Sequence, residues 1–395
     1  MTATEELRQR WQQVMLGNYG TPEVFLSHGR GAWVWDVDGN RYLDLIAGIA
    51  VSTLGHNDPA VVAAVADQAA QLAHTSNLYG HEVGVRLAER LLQLAEFQGR
   101  VLFTQDGATA NEAALKLARL AGRRNGNREV IVATVGGFHG RTMGALAVTG
   151  NPAKRDPFAP FGYEVRFVPF GDSVALRNAV DQSVAAVIVE PIQGENGVVV
   201  PPDGYLSQVR SACDESGALL IVDEVQSGIG RTGAWFESIS QGVQPDVLTL
   251  AKGLAGGLPL GAVIVAAEYC DVLKPGDHGT TFGGNPISVA AALAVIDAVE
   301  SRSLLEHSGS LGRWLQDSLS SLALPAVKAV RGKGLWLAVE FVDDRAAGVQ
   351  MRARNAGFLV NAVKPNAIRI APPLVIEQEQ LQLFIDSFPE LVGDL

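Results

Sequence analysis

The chain has 395 residues, 47% of them hydrophobic and 18% charged, which predicts two or three domains around a large core and excludes a disordered protein. Its 31 Lys and Arg against 42 Asp and Glu give a net charge of −11, which argues against a general nucleic-acid or anionic-membrane binder but leaves room for local basic pockets. Cys213 and Cys270 lie far apart, outside any CxxC or Cys/His cluster, so neither a disulfide framework nor a metal site is indicated. Residues 1–6 lack the basic and apolar regions of a targeting signal, and no apolar run approaches the ~20 residues of a membrane span, so a cytoplasmic protein is expected.

In chain order, residues 32–36 and 41–45 flank Asp38-Gly39-Asn40 and read as a β-hairpin. Residues 59–72 fit a helix, with Pro59 in its first turn and Val61, Val62, Val65 and Ala69 on one face. From about residue 100 strand segments alternate with helical ones: 100–103, 129–133, 165–168, 185–190, 218–223, 246–250 and 260–266. Several are almost continuously apolar, as in strands covered on both faces. A helix is predicted over 110–124, stopping at Asn125-Gly126. The pattern predicts an α/β fold, a mostly parallel central sheet with helices on both faces. A long apolar helix follows at 287–299, then two helical patterns and short strands near 335–341 and 368–370, which suggest a smaller α+β domain. The expected division is an N-terminal segment 1–55 joining the small domain, a large domain over 56–290 and a C-terminal small domain over 291–395.

The run 218–222 is apolar and ends in Asp223-Glu224, which places a carboxylate at the carboxyl end of a sheet, where open α/β folds bind ligands. The acid either caps the next helix or pairs with a protonated ring nitrogen of a cofactor; a magnesium-binding role is dropped because no GxxxxGK[ST] accompanies it. Gly228, Gly230 and Gly233 form a GxGxxG, but five residues separate it from the strand and no helix opens within it, so a flexible turn is expected rather than a dinucleotide site. Lys252, one of only seven lysines, ends the apolar run 247–251 and is followed by a glycine-rich segment. Such a lysine either buries its stem and sends its head to water, or sits desolvated as an amine nucleophile of the Schiff-base kind. Asp223 on a neighbouring strand favours the second. Gly107-Ala108 at a helix start, the segment Phe138-His139-Gly140-Arg141-Thr142, and Arg369 between apolar neighbours read as anion sites, with an ordinary structural salt bridge the equal alternative for each arginine; a carboxylate partner is expected for Arg369.

With these residues in view, the chain resembles the class III pyridoxal phosphate-dependent aminotransferases, and within them the acetylornithine aminotransferases. The likeness runs over nearly the whole chain and rests on Glu190-Pro191-Ile192-Gln193-Gly194-Glu195, Asp223-Glu224-Val225-Gln226, Thr249-Leu250-Ala251-Lys252-Gly253 and Thr281-Phe282-Gly283-Gly284-Asn285-Pro286. It implies the fold type I of aspartate aminotransferase and pyridoxal 5′-phosphate as cofactor. Lys252 is implied as the Schiff-base lysine and Asp223 as partner of the pyridine nitrogen. Phe138 and Val225 would sandwich the ring, Gln226 would reach its phenolic oxygen, and Gly107 and Ala108 would cradle the phosphate. Thr281 would arrive from a second subunit, so a homodimer with the active site at its interface is implied. Arg141 would hold the α-carboxylate of acetylornithine and the distal carboxylate of glutamate, Arg369 the α-carboxylate of glutamate, with Glu195 masking it in the other half-reaction, and Tyr19 would line the substrate pocket.

The resemblance further implies transfer of the δ-amino group of N2-acetylornithine to 2-oxoglutarate, giving N-acetylglutamate 5-semialdehyde and glutamate, as in arginine biosynthesis. Gly48 stands where relatives acting on free ornithine tend to carry an aromatic, which leaves room for an acylated amine. Another ω-amine (succinyldiaminopimelate, ornithine or 4-aminobutyrate) is the alternative; a nicotinamide-dependent dehydrogenase using the GxGxxG and a silent binding protein are more distant ones. The phosphate loop departs from the family pattern Asn-Ser-Gly: here it is Gln105-Asp106-Gly107. Asp106 caps a helix well, but beside a phosphate it repels unless turned away. Weakened cofactor binding, or a compensating cation nearby, is expected.

Overall fold

Each nearly continuous apolar run becomes a strand, and each Asp-Gly or Asn-Gly break becomes a turn. The computed structural model describes residues 2–393, so the first residue of the N-terminal segment and the last two of the C-terminal one lie outside the described residues. The predicted hairpin is present: β1 (Leu26–Arg30), β2 (Trp33–Asp36) and β3 (Arg41–Asp44) form an antiparallel ladder. Asp36 closes its turn by accepting from the amides of Asp38 and Asn40, at 3.0 and 2.8 Å, and from the Tyr42 hydroxyl at 3.0 Å.

The central sheet contains β4 (Gly99–Thr104), β5 (Val130–Thr134), β6 (Val165–Val168), β7 (Val184–Val189), β8 (Leu219–Asp223), β9 (Val247–Leu250) and β10 (Gly261–Ala266). Their order is β4-β10-β9-β8-β7-β5-β6. β9, β8, β7, β5 and β6 pair in parallel, and β10 runs antiparallel to both its neighbours. Every residue of β5, β7, β8 and β9 is buried, and each Val, Leu or Ile so covered contributes about 1.5–3 kcal/mol of transfer free energy. The helix Gly107–Arg124 packs Ala110, Ala113, Ala114, Leu117 and Ala118 onto the sheet, where alanines let helix and strand approach closely.

Two further sheets complete the chain: β11 (Val327–Gly332), β12 (Leu337–Phe341), β15 (Ala367–Ile370) and β14 (Asn361–Lys364) form one, and β13 (Phe358–Leu359) adds to the N-terminal hairpin, parallel to β3. The first and last parts of the chain therefore share a sheet.

Several elements differ from expectation, among them the helix Glu82–Leu94 and strands β11, β13 and β14, which the sequence pattern did not mark. The helix Ala3–Val14 was not foreseen, because its apolar residues make no core: none of its twelve residues is buried. The helix predicted from residue 110 starts at Gly107, since Asp106 is its N-cap. The C-terminal part holds three helices, Leu304–Ser321, Ala346–Asn355 and Gln378–Val392, rather than two. The middle one has a weak apolar stripe and buries only Ala346, Val349 and Ala353. Among the described residues no helix is long and apolar enough to cross a membrane, and no cluster of His, Cys, Asp and Glu could hold a metal ion.

Candidate active site

Parallel pairing brings the carboxyl ends of β5, β7, β8 and β9 to one edge, and a cavity of about 530 Å³ opens there. It is lined by residues from each following loop, among them Gly107, Ala108, Phe138, Arg141, Asp223, Val225, Gln226 and Lys252. Its size suits a small-molecule site.

Asp223 ends β8 and is held from three sides. Its Oδ2 accepts from Asn111 Nδ2 at 2.7 Å and lies 2.8 Å from His139 Nδ1, while Oδ1 accepts the Val225 amide at 3.0 Å. Asn111 is fixed in turn, donating to the His139 carbonyl and accepting from the Thr249 hydroxyl, each at 2.8 Å. Burial pushes His139 toward its neutral form, but the hydrogen bond and charge of Asp223 outweigh it, and its pKa stands above the ordinary value. Asn111 and His139 were not assigned roles from sequence, although both lie in segments singled out for other residues. Their link to Asp223 spans 112 and 84 residues.

Lys252 follows β9 with φ +41 and opens a 3-10 turn, fixed by the Thr53 hydroxyl donating to the Gly253 carbonyl at 2.8 Å. The side chain keeps some exposure to the cavity, yet its ammonium lies deep among protein atoms. Burial lowers its pKa to about 8; the Glu195 carboxylate opposes the shift and Arg369 adds to it. Arg369, buried on β15, has the carboxylate partner its surroundings demand: its Nη1 lies 2.7 Å from Glu195 Oε1. The same guanidinium donates to Gln226 Oε1 at 3.1 Å and to Asn361 Oδ1 at 2.8 Å. Burial raises the Glu195 carboxyl, but the Arg369 charge prevails and holds it below the usual range.

Arg141 is exposed at the cavity wall, with its guanidinium carbon 5.9 Å from the Phe138 ring centre. Four predicted residues do not line the cavity within this chain: Arg369, which meets it through Gln226; Glu195, paired with Arg369; Tyr19, on a short 3-10 turn and 91% exposed; and Thr281, exposed in a loop beside Phe282. Gly48 sits in a left-handed turn, Ala47 to Ala50, in which all four residues have positive φ; a Cβ on Gly48 would meet only Val51 at 3.9 Å and the Ser52 hydroxyl at 4.0 Å. Asp106 caps its helix, accepting from the Thr109 amide at 2.8 Å, and stays at the cavity rim.

The GxGxxG segment is a turn, as expected, but not a flexible one. Residues 228–232 are buried, and Arg231 Nη1 donates to the carbonyls of Leu335 at 2.9 Å and Pro372 at 2.5 Å. No helix begins there, so a pyrophosphate would find no aligned amides. Glu224, next to Asp223, takes the plain structural role: its oxygens accept from the amides of Glu237 and Ser238 and from the hydroxyls of Ser227 and Ser238.

The family model described as aminotransferase class-III matches residues 15–392. The chain belongs to that family. Among its relatives, the acetylornithine aminotransferases of Streptomyces coelicolor and Mycobacterium tuberculosis are each 51% identical to it, covering 99% of this chain and 96% and 97% of those proteins. Of solved structures, the ornithine aminotransferase of Toxoplasma gondii superposes with a TM-score of 0.93 at 35% identity, over 98% of this chain and 95% of that one. An amine transaminase from an uncultivated Pseudomonas species, solved with pyridoxal phosphate bound, gives 0.87 at 33% identity over 96% of each chain.

The residues of this aminotransferase fit that cofactor. A carboxylate fixed by three donors, with its remaining capacity at the cavity wall, suits a protonated ring nitrogen. At the helix start, a Cβ on Gly107 would come within 2.7 Å of Val225, so only glycine keeps both the helix terminus and the Val225 wall in place. Beside it, Gln105 lines the cavity with a buried side-chain oxygen that has no partner among the described residues, an acceptor open to a donor on a bound molecule.

Proposed function

We propose that this aminotransferase moves the δ-amino group of N2-acetylornithine onto 2-oxoglutarate, using pyridoxal 5′-phosphate, and so serves arginine biosynthesis in the cytoplasm. The observation that carries the reading is one cavity lined by a desolvated lysine and a triply hydrogen-bonded aspartate at the ends of adjacent parallel strands, next to a buried arginine that pairs with Glu195 and bonds the cavity's Gln226. The naming of its half-identical relatives supports the substrate.

When bound, the cofactor supplies an aldehyde that exchanges amines and a ring that withdraws electrons. Everything else falls to the chain. Gly107 and Ala108, at the positive end of a helix, hold the phosphate. Phe138 and Val225 would flank the ring, Asp223 would stabilise a protonated ring nitrogen, and Gln226 would bond its hydroxyl. Asn111 and His139 stop Asp223 from turning away. Lys252, once freed, moves a proton on and off the amine-bearing carbon of the substrate, which its depressed pKa allows near neutrality. Arg141 binds the α-carboxylate of acetylornithine and the far carboxylate of 2-oxoglutarate. Arg369 takes the α-carboxylate of the oxo acid or of glutamate. Glu195 covers that charge while the acylated amine is bound, because an unpaired buried guanidinium is costly.

The working unit in this reading is a homodimer, with the partner's Thr281 completing the phosphate site and Tyr19 lining the substrate pocket. Leu78 at 86%, Tyr79 at 74% and Phe282 at 59% exposure form an apolar edge beside Thr281 that a second copy would cover. The chain divides into a large cofactor domain over 56–290 and a small domain in which residues 1–55 join 291–395, a reading supported by the pairing of β13 with β3.

The purified protein is expected to show a visible absorbance band that borohydride abolishes and that Lys252→Ala lacks. Comparison of kcat/KM for acetylornithine, succinyldiaminopimelate, ornithine and 4-aminobutyrate then fixes the amine. A protein that stays colourless with added pyridoxal phosphate overturns the reading.

A further inference from the structure

Glu190, at the end of β7, is a buried acid lining the same cavity, and no role above uses it. Its Oε2 accepts the Phe138 backbone amide at 2.9 Å. Among the described residues that is the one hydrogen bond its carboxyl makes, and it makes no ion pair. The contrast with its neighbours is sharp: Asp223 has three donors and Glu224 four, whereas Glu190 has one neutral donor. A buried carboxylate satisfied so sparsely is costly, while a carboxylic acid in the same place has no charge to compensate and can turn its O–H toward the cavity that Glu190 lines. The charged groups around it are His139 on the Phe138 loop, Asp223 on β8 and Lys252 after β9. Two of these are cations when protonated and one is an anion, so together they favour the charged form, and burial outweighs them.

We propose that Glu190 is a positioning residue that works in its uncharged form, fixing the backbone of Phe138 so that the ring stands over the cofactor face, while adding no second negative charge beside Asp223. The inference rests on the proposed cofactor reading and deepens it. Burial pushes the Glu190 carboxyl up to about 8, Asp223 adding to the rise and His139 opposing it, so the acid form prevails at neutral pH and is lost as pH climbs. Ionisation would place a charge against the Phe138 loop and raise the tendency of Lys252 and His139 to hold protons.

Three variants separate charge from shape, all measured on cofactor-loaded enzyme. Glu190→Gln keeps the acceptor and is permanently neutral; it should hold cofactor within about twofold of wild type and keep the visible band at pH 7. Glu190→Ala removes the acceptor and should weaken cofactor binding about tenfold and shift the band, with kcat falling more than KM rises. Glu190→Asp, too short to reach the Phe138 amide, should resemble the alanine variant. A pH titration of the band supplies the decisive reading, since a merely structural role leaves it unmoved: the change near pH 8 in wild type should be absent from Glu190→Gln. If Glu190→Gln binds cofactor as poorly as Glu190→Ala, or titrates like wild type, the inference is overturned. A wild-type protein with no band at all fails the cofactor reading instead, a different result.

Discussion

His139 Nδ1 and Asn111 Nδ2 converge on one oxygen of Asp223, at 2.8 and 2.7 Å, and leave the other to the Val225 amide and the cavity. The carboxylate thus has a fixed direction. Asp223→Asn, which keeps the shape but removes the charge, should lower the single-turnover rate by about 10²–10³, the scale of one preorganised electrostatic group. His139→Asn should cost on the order of tenfold, since the aspartate retains two donors. Single-turnover absorbance kinetics with the amine donor check both, and equal losses would show that orientation outweighs charge.

The depressed pKa of Lys252 has a direct sign. The amine loses its proton as pH rises through about 8, while an exposed lysine stays protonated until about 10.4. In cofactor-free protein treated with formaldehyde and a mild reductant, Lys252 should therefore label well ahead of exposed Lys274 between pH 7.5 and 9, as read by peptide mass. Labelling no faster than Lys274 would contradict its desolvation.

Glu195 pairs with Arg369, its Oε1 2.7 Å from Nη1. Glu195→Gln should leave the guanidinium free to bind α-amino acids unproductively. The preference for the acylated amine over glutamate, expressed as a kcat/KM ratio, should fall about tenfold, a charge-assisted bond being worth roughly 1.5–3 kcal/mol. An unchanged ratio would mean that selectivity resides elsewhere.

Asp106 lies at the cavity rim and caps the helix whose N-terminus would hold a phosphate. Asp106→Ser retains a cap and removes the like charge, so the cofactor dissociation constant should fall by about fivefold, more at low ionic strength. An unchanged constant would show the carboxylate turned away from the phosphate.

Much of the fold was legible because strands buried on both faces are long apolar runs; all seven central strands fall within a residue or two of their predicted segments. Elements without such contrast were not. Ala3–Val14 buries nothing, and Ala346–Asn355 has a faint stripe. At the site, motif residues such as Lys252 and Asp223 stand out by type and flanks. His139, Asn111 and Glu190 do not, because what marks them is pairing across distant stretches, and the burial of Gly228 to Thr232 is likewise a property of neighbours that are far away in the chain.

The pairing of Leu43 with Phe358 and Asp44 with Leu359 also sets a schedule for the nascent chain. The hairpin emerges first, but the strand that covers its edge leaves the ribosome about three hundred residues later, tens of seconds at the usual 5–20 residues per second. During that interval β3 offers open backbone groups to any other strand in reach. A chain truncated before β13 would keep that edge open permanently, and holdase chaperones would be expected to recognise it.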